Sequence, residues 1–159
     1  MIKAVIFDCD GVVVQSQRFS EYLEKQYGIS RQMTSEFFEN EFQKALIGKV
    51  DLKKVLVPYI KKWGWDKGVE KILEEWFTSE NKVSREILLT IEKLNKKGIK
   101  TYMATNQERH RTSFIVNKMN FGKIFDKIFS SAYIGYKKPS LVFFEKVFKE
   151  IEKEQKVKK

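Results

Sequence analysis

The stretch Ile2 to Val14, IKAVIFDCDGVVV, decides how this chain folds. Its opening IKAVIF is a near-continuous apolar run rich in branched side chains, which suits a short strand buried on both faces of a parallel sheet. Two aspartates, Asp8 and Asp10, end that run, with Gly11 directly behind them. Like charges one residue apart at the edge of a core are unfavourable unless something uses or neutralises them. The end of this strand is therefore the first place to look for chemistry.

Working outward, two further segments read as strands: IKTYMAT, Ile99 to Thr105, and DKIFSS, Asp126 to Ser131. Helical spacing lies between and after them. Apolar positions Ile87, Leu88, Ile91 and Leu94 recur over Ser84 to Lys97, and Gly98 closes that helix; Gln107 to Asn120 and Leu141 to Lys153 repeat the pattern. Strand and helix in alternation predict a doubly wound, Rossmann-like parallel α/β sheet. The segment 16–79 interrupts the alternation with helix-like pieces only: Gln17 to Tyr27, Thr34 to Ile47, Asp51 to Trp63 and Asp66 to Phe77. Pro58 is expected to kink or end its helix, and Gly64 and Gly68 mark the following turn. All three tryptophans (Trp63, Trp65, Trp76) fall in this helical insertion, whose aromatics read as a small core of their own. The α/β core then comprises 1–15 and 80–159.

Composition narrows the function classes. With 159 residues and 42% hydrophobic content the chain can bury a real core as one compact domain. A single cysteine, Cys9, excludes a disulfide framework and points to a reducing, cytoplasmic setting. No apolar run approaches the roughly 18 residues that would span a bilayer, so no membrane partner is expected. The 31 basic against 21 acidic residues leave a formal charge of +10, but only Arg18, Arg31, Arg85, Arg109 and Arg111 are arginines. Bidentate contacts to phosphates and bases favour arginine, so this lysine-dominated charge argues for solubility and for small anionic substrates, not for nucleic acid.

In an open parallel sheet, ligands bind beyond the carboxyl ends of the strands. That rule selects Asp8 and Asp10, then Thr105 and Asn106, then the loop IGYKKPS. Strand alternation places both aspartates on one side and turns Cys9 into the core, away from any nucleophilic role. Such a set suits phosphoryl transfer: the Asp8 carboxylate can attack phosphorus, and Asp10 can protonate the leaving oxygen and later activate water. A phosphate dianion near a carboxylate at about 4 Å meets roughly 4 kcal/mol of repulsion per charge pair. Cations must offset it, and a lysine of the pair Lys137 and Lys138, with Mg²⁺ held by carboxylate and backbone oxygens, can do so. Thr105, Asn106 and nearby amides can orient the phosphoryl oxygens, while Gly11 lets the chain turn beside the ligand.

In this order, DCDGV after an apolar strand, ATN ending the second strand and KKP before a helix resemble motifs one to three of the haloacid dehalogenase-like (HAD) superfamily. The likeness runs over nearly the whole chain and makes 16–79 similar to the helical C1 cap of subfamily I. It implies Asp8 as nucleophile and metal ligand, Asp10 as general acid/base with its backbone carbonyl on Mg²⁺, and Thr105 and Asn106 as phosphate contacts. It also selects Lys138, next to Pro139, as the neutralising lysine. Displacing halide needs no proton, so Asp10 favours a phosphatase acting on a small phosphorylated metabolite over a dehalogenase; phosphomutase chemistry is the related alternative.

The same resemblance implies a fourth motif, acidic residues after a fourth strand, which would complete the Mg²⁺ site. After the Leu141 to Lys153 helix the sequence offers only EKEQKVKK. Two expectations compete. Either the protein continues past Lys159, or the chain is a catalytically weak or silent module whose incomplete sheet edge pairs with another chain. His110, between Arg109 and Arg111, is expected to be an exposed helix residue, with no acidic partner apparent nearby in sequence.

Overall fold

The computed structural model describes residues 2–15 and 17–157. Its centre is a parallel sheet of β1 (Ala4–Phe7), β2 (Lys100–Thr105) and β3 (Lys127–Ser130), ordered β1-β2-β3. Phe7 lies opposite Met103, and Thr105 opposite Ser130, so all three carboxyl ends lie along one side of the sheet. β2, in the middle, is buried along nearly its whole length. β1 is only half-buried at every position, where burial on both faces was the expectation. Among the described residues it pairs with β2 alone, and an edge strand leaves part of its surface open.

Alternation along β2 builds two cores. Met103 joins Cys9, Val13, Ile91, Ile115 and Phe121 on one face, where α6 (Arg85–Lys96) packs. Tyr102 and Ala104 join Phe129, Phe143 and Val147 on the other, where α9 (Leu141–Val157) packs. Between β1 and α6 the chain forms α1 (Phe19–Tyr27), α2 (Arg31–Glu39), α3 (Glu41–Leu46), α4 (Leu52–Lys62) and α5 (Gly68–Ser79). These helices share a third core containing all three tryptophans, with Trp76 stacked on Phe19 at a centroid distance of 4.8 Å. The chain segments leading into and out of this helical segment run side by side. Gln15 N–H donates to Lys82 O and Ser84 N–H to Val13 O, each at 2.8 Å.

Three local expectations change. The Thr34 to Ile47 helix is two helices, because Asn40 leaves helical geometry (φ −115°, ψ −83°) while its side chain donates back to Glu36 O. Pro58 sits inside α4 and does not end it. Pro58 and Lys54 are both exposed, so water can satisfy the carbonyl that loses its donor. The Gln107 to Asn120 helix starts later, at α7 (Arg109–Ser113), and widens into a π-helical turn over Phe114–Lys118. A short helix α8 (Ser131–Ile134) follows β3 directly. No helix among the described residues is long and apolar enough to cross a membrane.

Candidate active site

After Phe7 the chain turns back on itself. Val14 N–H donates to Cys9 O at 2.9 Å and Gly11 N–H to Val14 O at 2.8 Å, with Gly11 at φ +79°, a conformation open to glycine. The turn sends the Cys9 side chain fully into the core, where burial drives its thiol pKa upward and keeps it protonated. Asp8 and Asp10 stay outside that core. Asp8 Oδ1 accepts from Cys9 N–H at 2.7 Å, and Asp8 Oδ2 pairs with Lys138 Nζ at 2.6 Å.

Lys138 is braced by Asn106. The amide of Asn106 donates to Lys138 O at 3.1 Å and its carbonyl accepts from Lys138 N–H at 2.8 Å. The Asn106 side chain thus spends two contacts on positioning the lysine, where a direct phosphate contact was the expectation. Lys137, the alternative cation, instead turns to Gln43 of α3. Thr105 is 1% exposed and its hydroxyl has no hydrogen-bond partner among the described residues, which is costly for a buried polar atom.

Asp10 and Asn106 open onto a cavity of about 490 Å³ between the strand ends and the helical segment. Phe38, Phe42, Trp76 and Phe77 form its apolar wall, and Arg18 and Glu80 are among its charged members. The surrounding protein raises the Asp10 carboxyl above its usual range, opposed by the charge of Arg111 and aided by that of Asp8. Burial pushes the Glu80 carboxyl up to about 7, against the pull of Arg111. Asp8, Lys138, Asn106 and Asp10 are therefore brought to one place, Asp8 and Lys138 beside the cavity and Asp10 and Asn106 on its wall.

Several residues here escape a sequence reading. Gln107 donates through Nε2 to Asp10 Oδ2 at 2.5 Å; its place immediately after Asn106 was the available signal. Arg111, one helical turn further on, is 2% exposed and donates to the carbonyls of Phe77 and Glu80 at the end of α5. Glu80 carried no signal at all. His110 is half-buried where an exposed position was the expectation, and its Nε2 lies 3.1 Å from Asp51 Oδ2, an acidic partner from the helical segment, far away in sequence.

The family model for haloacid dehalogenase-like hydrolases matches residues 2–157. No curated protein matches the sequence. Among solved structures, the chain is similar to a HAD family enzyme from Bacteroides thetaiotaomicron in complex with magnesium and inorganic phosphate, with a TM-score of 0.78 at 18% identity, covering 96% of this chain and 80% of that one. A predicted HAD-like family hydrolase from Porphyromonas gingivalis gives 0.74 at 18% identity, covering 94% and 76%. The L-2-haloacid dehalogenase of Xanthobacter autotrophicus gives 0.63 at 17%, covering 96% and 66%. At these identities the likeness establishes the shared fold.

Proposed function

Because this chain belongs to the haloacid dehalogenase-like hydrolases, we propose that it is a Mg²⁺-dependent phosphatase that hydrolyses a small phosphate monoester through an aspartyl phosphate on Asp8. The observation that carries this reading is the Asp8–Lys138 pair at 2.6 Å, with Asp10 two residues on and facing the cavity. A nucleophilic carboxylate held beside a lysine is placed for an anionic electrophile. A second carboxyl on the cavity side is placed for the proton that a leaving alkoxide needs and a halide does not.

The oxygen donors fit Mg²⁺. Asp8 through its carboxylate and Asp10 through its backbone carbonyl would hold it, in keeping with the one or two carboxylates, completed by water and substrate phosphate, that Mg²⁺ commonly accepts. Bound there, it would neutralise phosphoryl charge. The orphaned Thr105 hydroxyl fits a phosphate oxygen as its missing partner. In the reaction Asp8 attacks phosphorus, Asp10 protonates the departing oxygen, and Asp10 then takes a proton from the water that releases phosphate. Lys138 and Thr105 hold the phosphoryl oxygens, and Asn106 keeps Lys138 in register. The helical segment acts as a cap, and the leaving group sits against the aromatic wall of the cavity.

A second reading, a catalytically silent binding module, draws on the carboxylate supply. Among the described residues no cluster of three or more His, Cys, Asp or Glu is placed to hold a metal. A phosphate-release panel with and without Mg²⁺, run on wild type and Asp8→Asn together, separates the two. Release that requires Mg²⁺ and vanishes in Asp8→Asn supports the phosphatase, whereas release surviving that change removes the mechanism. No release from folded wild type on any ester supports the silent module.

A further inference from the structure

We propose that Gln107 is a positioning residue that holds Asp10 with one chosen oxygen facing the leaving group. This rests on the phosphatase reading, in which Asp10 is the general acid. Gln107 is 6% exposed, lines the same cavity as Asp10, and donates from Nε2 to Asp10 Oδ2 at 2.5 Å. No other side-chain hydrogen bond of Gln107 occurs among the described residues, and no hydrogen bond reaches Asp10 Oδ1.

The main chain of Gln107 is fixed from several directions, so its side chain starts from a rigid base. Gln107 N–H donates to Ser131 Oγ at 3.0 Å, and Gln107 O accepts from Ser130 Oγ at 2.9 Å and from Ala132 N–H at 3.3 Å. Ser131 is itself tied down by donating to Leu46 O, at the end of α3, at 2.5 Å. The reach from β3 to Gln107 therefore contains no exposed, freely rotating link.

The chemistry follows from the amide's hydrogens. A carboxylate only accepts, so the amide nitrogen must face it. When Asp10 is protonated, the N–H pressed against Oδ2 excludes the acid proton from that oxygen and leaves it on Oδ1. The transfer then balances in one step. The bond from Asp8 oxygen to phosphorus forms, the bond from phosphorus to the ester oxygen breaks, and the Oδ1 proton passes to that oxygen, leaving Asp10 ionised with Gln107 still bound. Placement of a general acid matters most when the leaving oxygen is strongly basic.

The test is kcat/KM for phenyl phosphate, a poor leaving group, and for para-nitrophenyl phosphate, a good one, in wild type, Gln107→Met and Asp10→Asn. Methionine keeps the volume and loses the donor. We expect Gln107→Met to lower the phenyl phosphate value about tenfold or more and the para-nitrophenyl phosphate value less than about threefold. The ratio of the two is unaffected by partial unfolding, which lowers both alike. An unchanged ratio in Gln107→Met, with a shifted ratio in Asp10→Asn, overturns the role of Gln107 and leaves the general acid standing. An unchanged ratio in Asp10→Asn, or no release by wild type, overturns Asp10 as acid and takes the role of Gln107 with it. Independently of turnover, the Gln107 side-chain amide protons should shift upfield in the NMR spectrum of Asp10→Ala; unmoved signals overturn the bond itself.

Discussion

Lys138 Nζ stands 2.6 Å from Asp8 Oδ2, joining the loop beyond β3 to the end of β1 across the intervening strand. The lysine side chain is 19% exposed and the aspartate side chain 43%. A pair this open to solvent contributes about 0–1 kcal/mol to stability. Its value is electrostatic at the moment an anion arrives. Lys138→Met is therefore expected to leave the melting temperature within a few degrees of wild type and to lower phosphate release about 100-fold. Thermal melts alongside a phosphate-release assay check both halves.

Thr105 poses the opposite balance. Its buried hydroxyl has no partner among the described residues, so removing it relieves an unsatisfied polar group. Thr105→Val preserves shape and β-branching, and we expect a gain of about 1 kcal/mol in urea denaturation together with a clear loss of phosphate release. A variant both less stable and fully active would show that the hydroxyl serves the fold and not the ligand.

The parts legible in the sequence were those fixed by local pattern. The apolar run before Asp8 marked β1, the motif order brought Asp8, Asp10, Asn106 and Lys138 together, and the aromatic clustering marked a separate helical core. What escaped depends on contacts between distant segments. Nothing adjacent to Glu80 announces that Phe19 N–H will donate to its carboxyl at 3.0 Å or that Arg111 will seek its carbonyl. His110 likewise finds Asp51 only once the residue capping α4 is brought beside α7. Asn40 ended a helix that apolar periodicity alone would have continued, because its side chain competes for the backbone.

Arg111 ties the α/β core to the end of the helical segment. Its guanidinium donates to Phe77 O at 2.8 Å and to Glu80 O, and lies over the rings of Phe77 and Phe114. Arg111→Met keeps much of the apolar packing but strands the buried carbonyl of Phe77 and the half-buried one of Glu80. We expect a loss of about 3 kcal/mol, read as a lower urea midpoint with an unchanged slope. A variant as stable as wild type would mean that the two carbonyls find other donors.

Glu80 gives the fold a pH dependence of definite sign. Burial raises its carboxyl from 4.5 to about 7, with the Arg111 charge opposing the rise. Between those values the native state holds a proton that the unfolded chain has released, so stability falls as pH rises through this window. The cost is absent below about 4.5 and complete above about 7. Glu80→Gln removes the charge and keeps a side-chain oxygen able to accept from Phe19 N–H. The variant should therefore exceed wild type by on the order of 3 kcal/mol at pH 8, with the advantage fading to nothing near pH 4. Glu108 titrates in both proteins and cancels from the difference, whereas Asp10, whose charge adds to the rise of the Glu80 carboxyl, cancels only in part. Paired urea titrations across that pH range decide the matter: a constant offset, or an advantage that grows toward acid, would place the Glu80 charge in a more solvated setting than its packing implies.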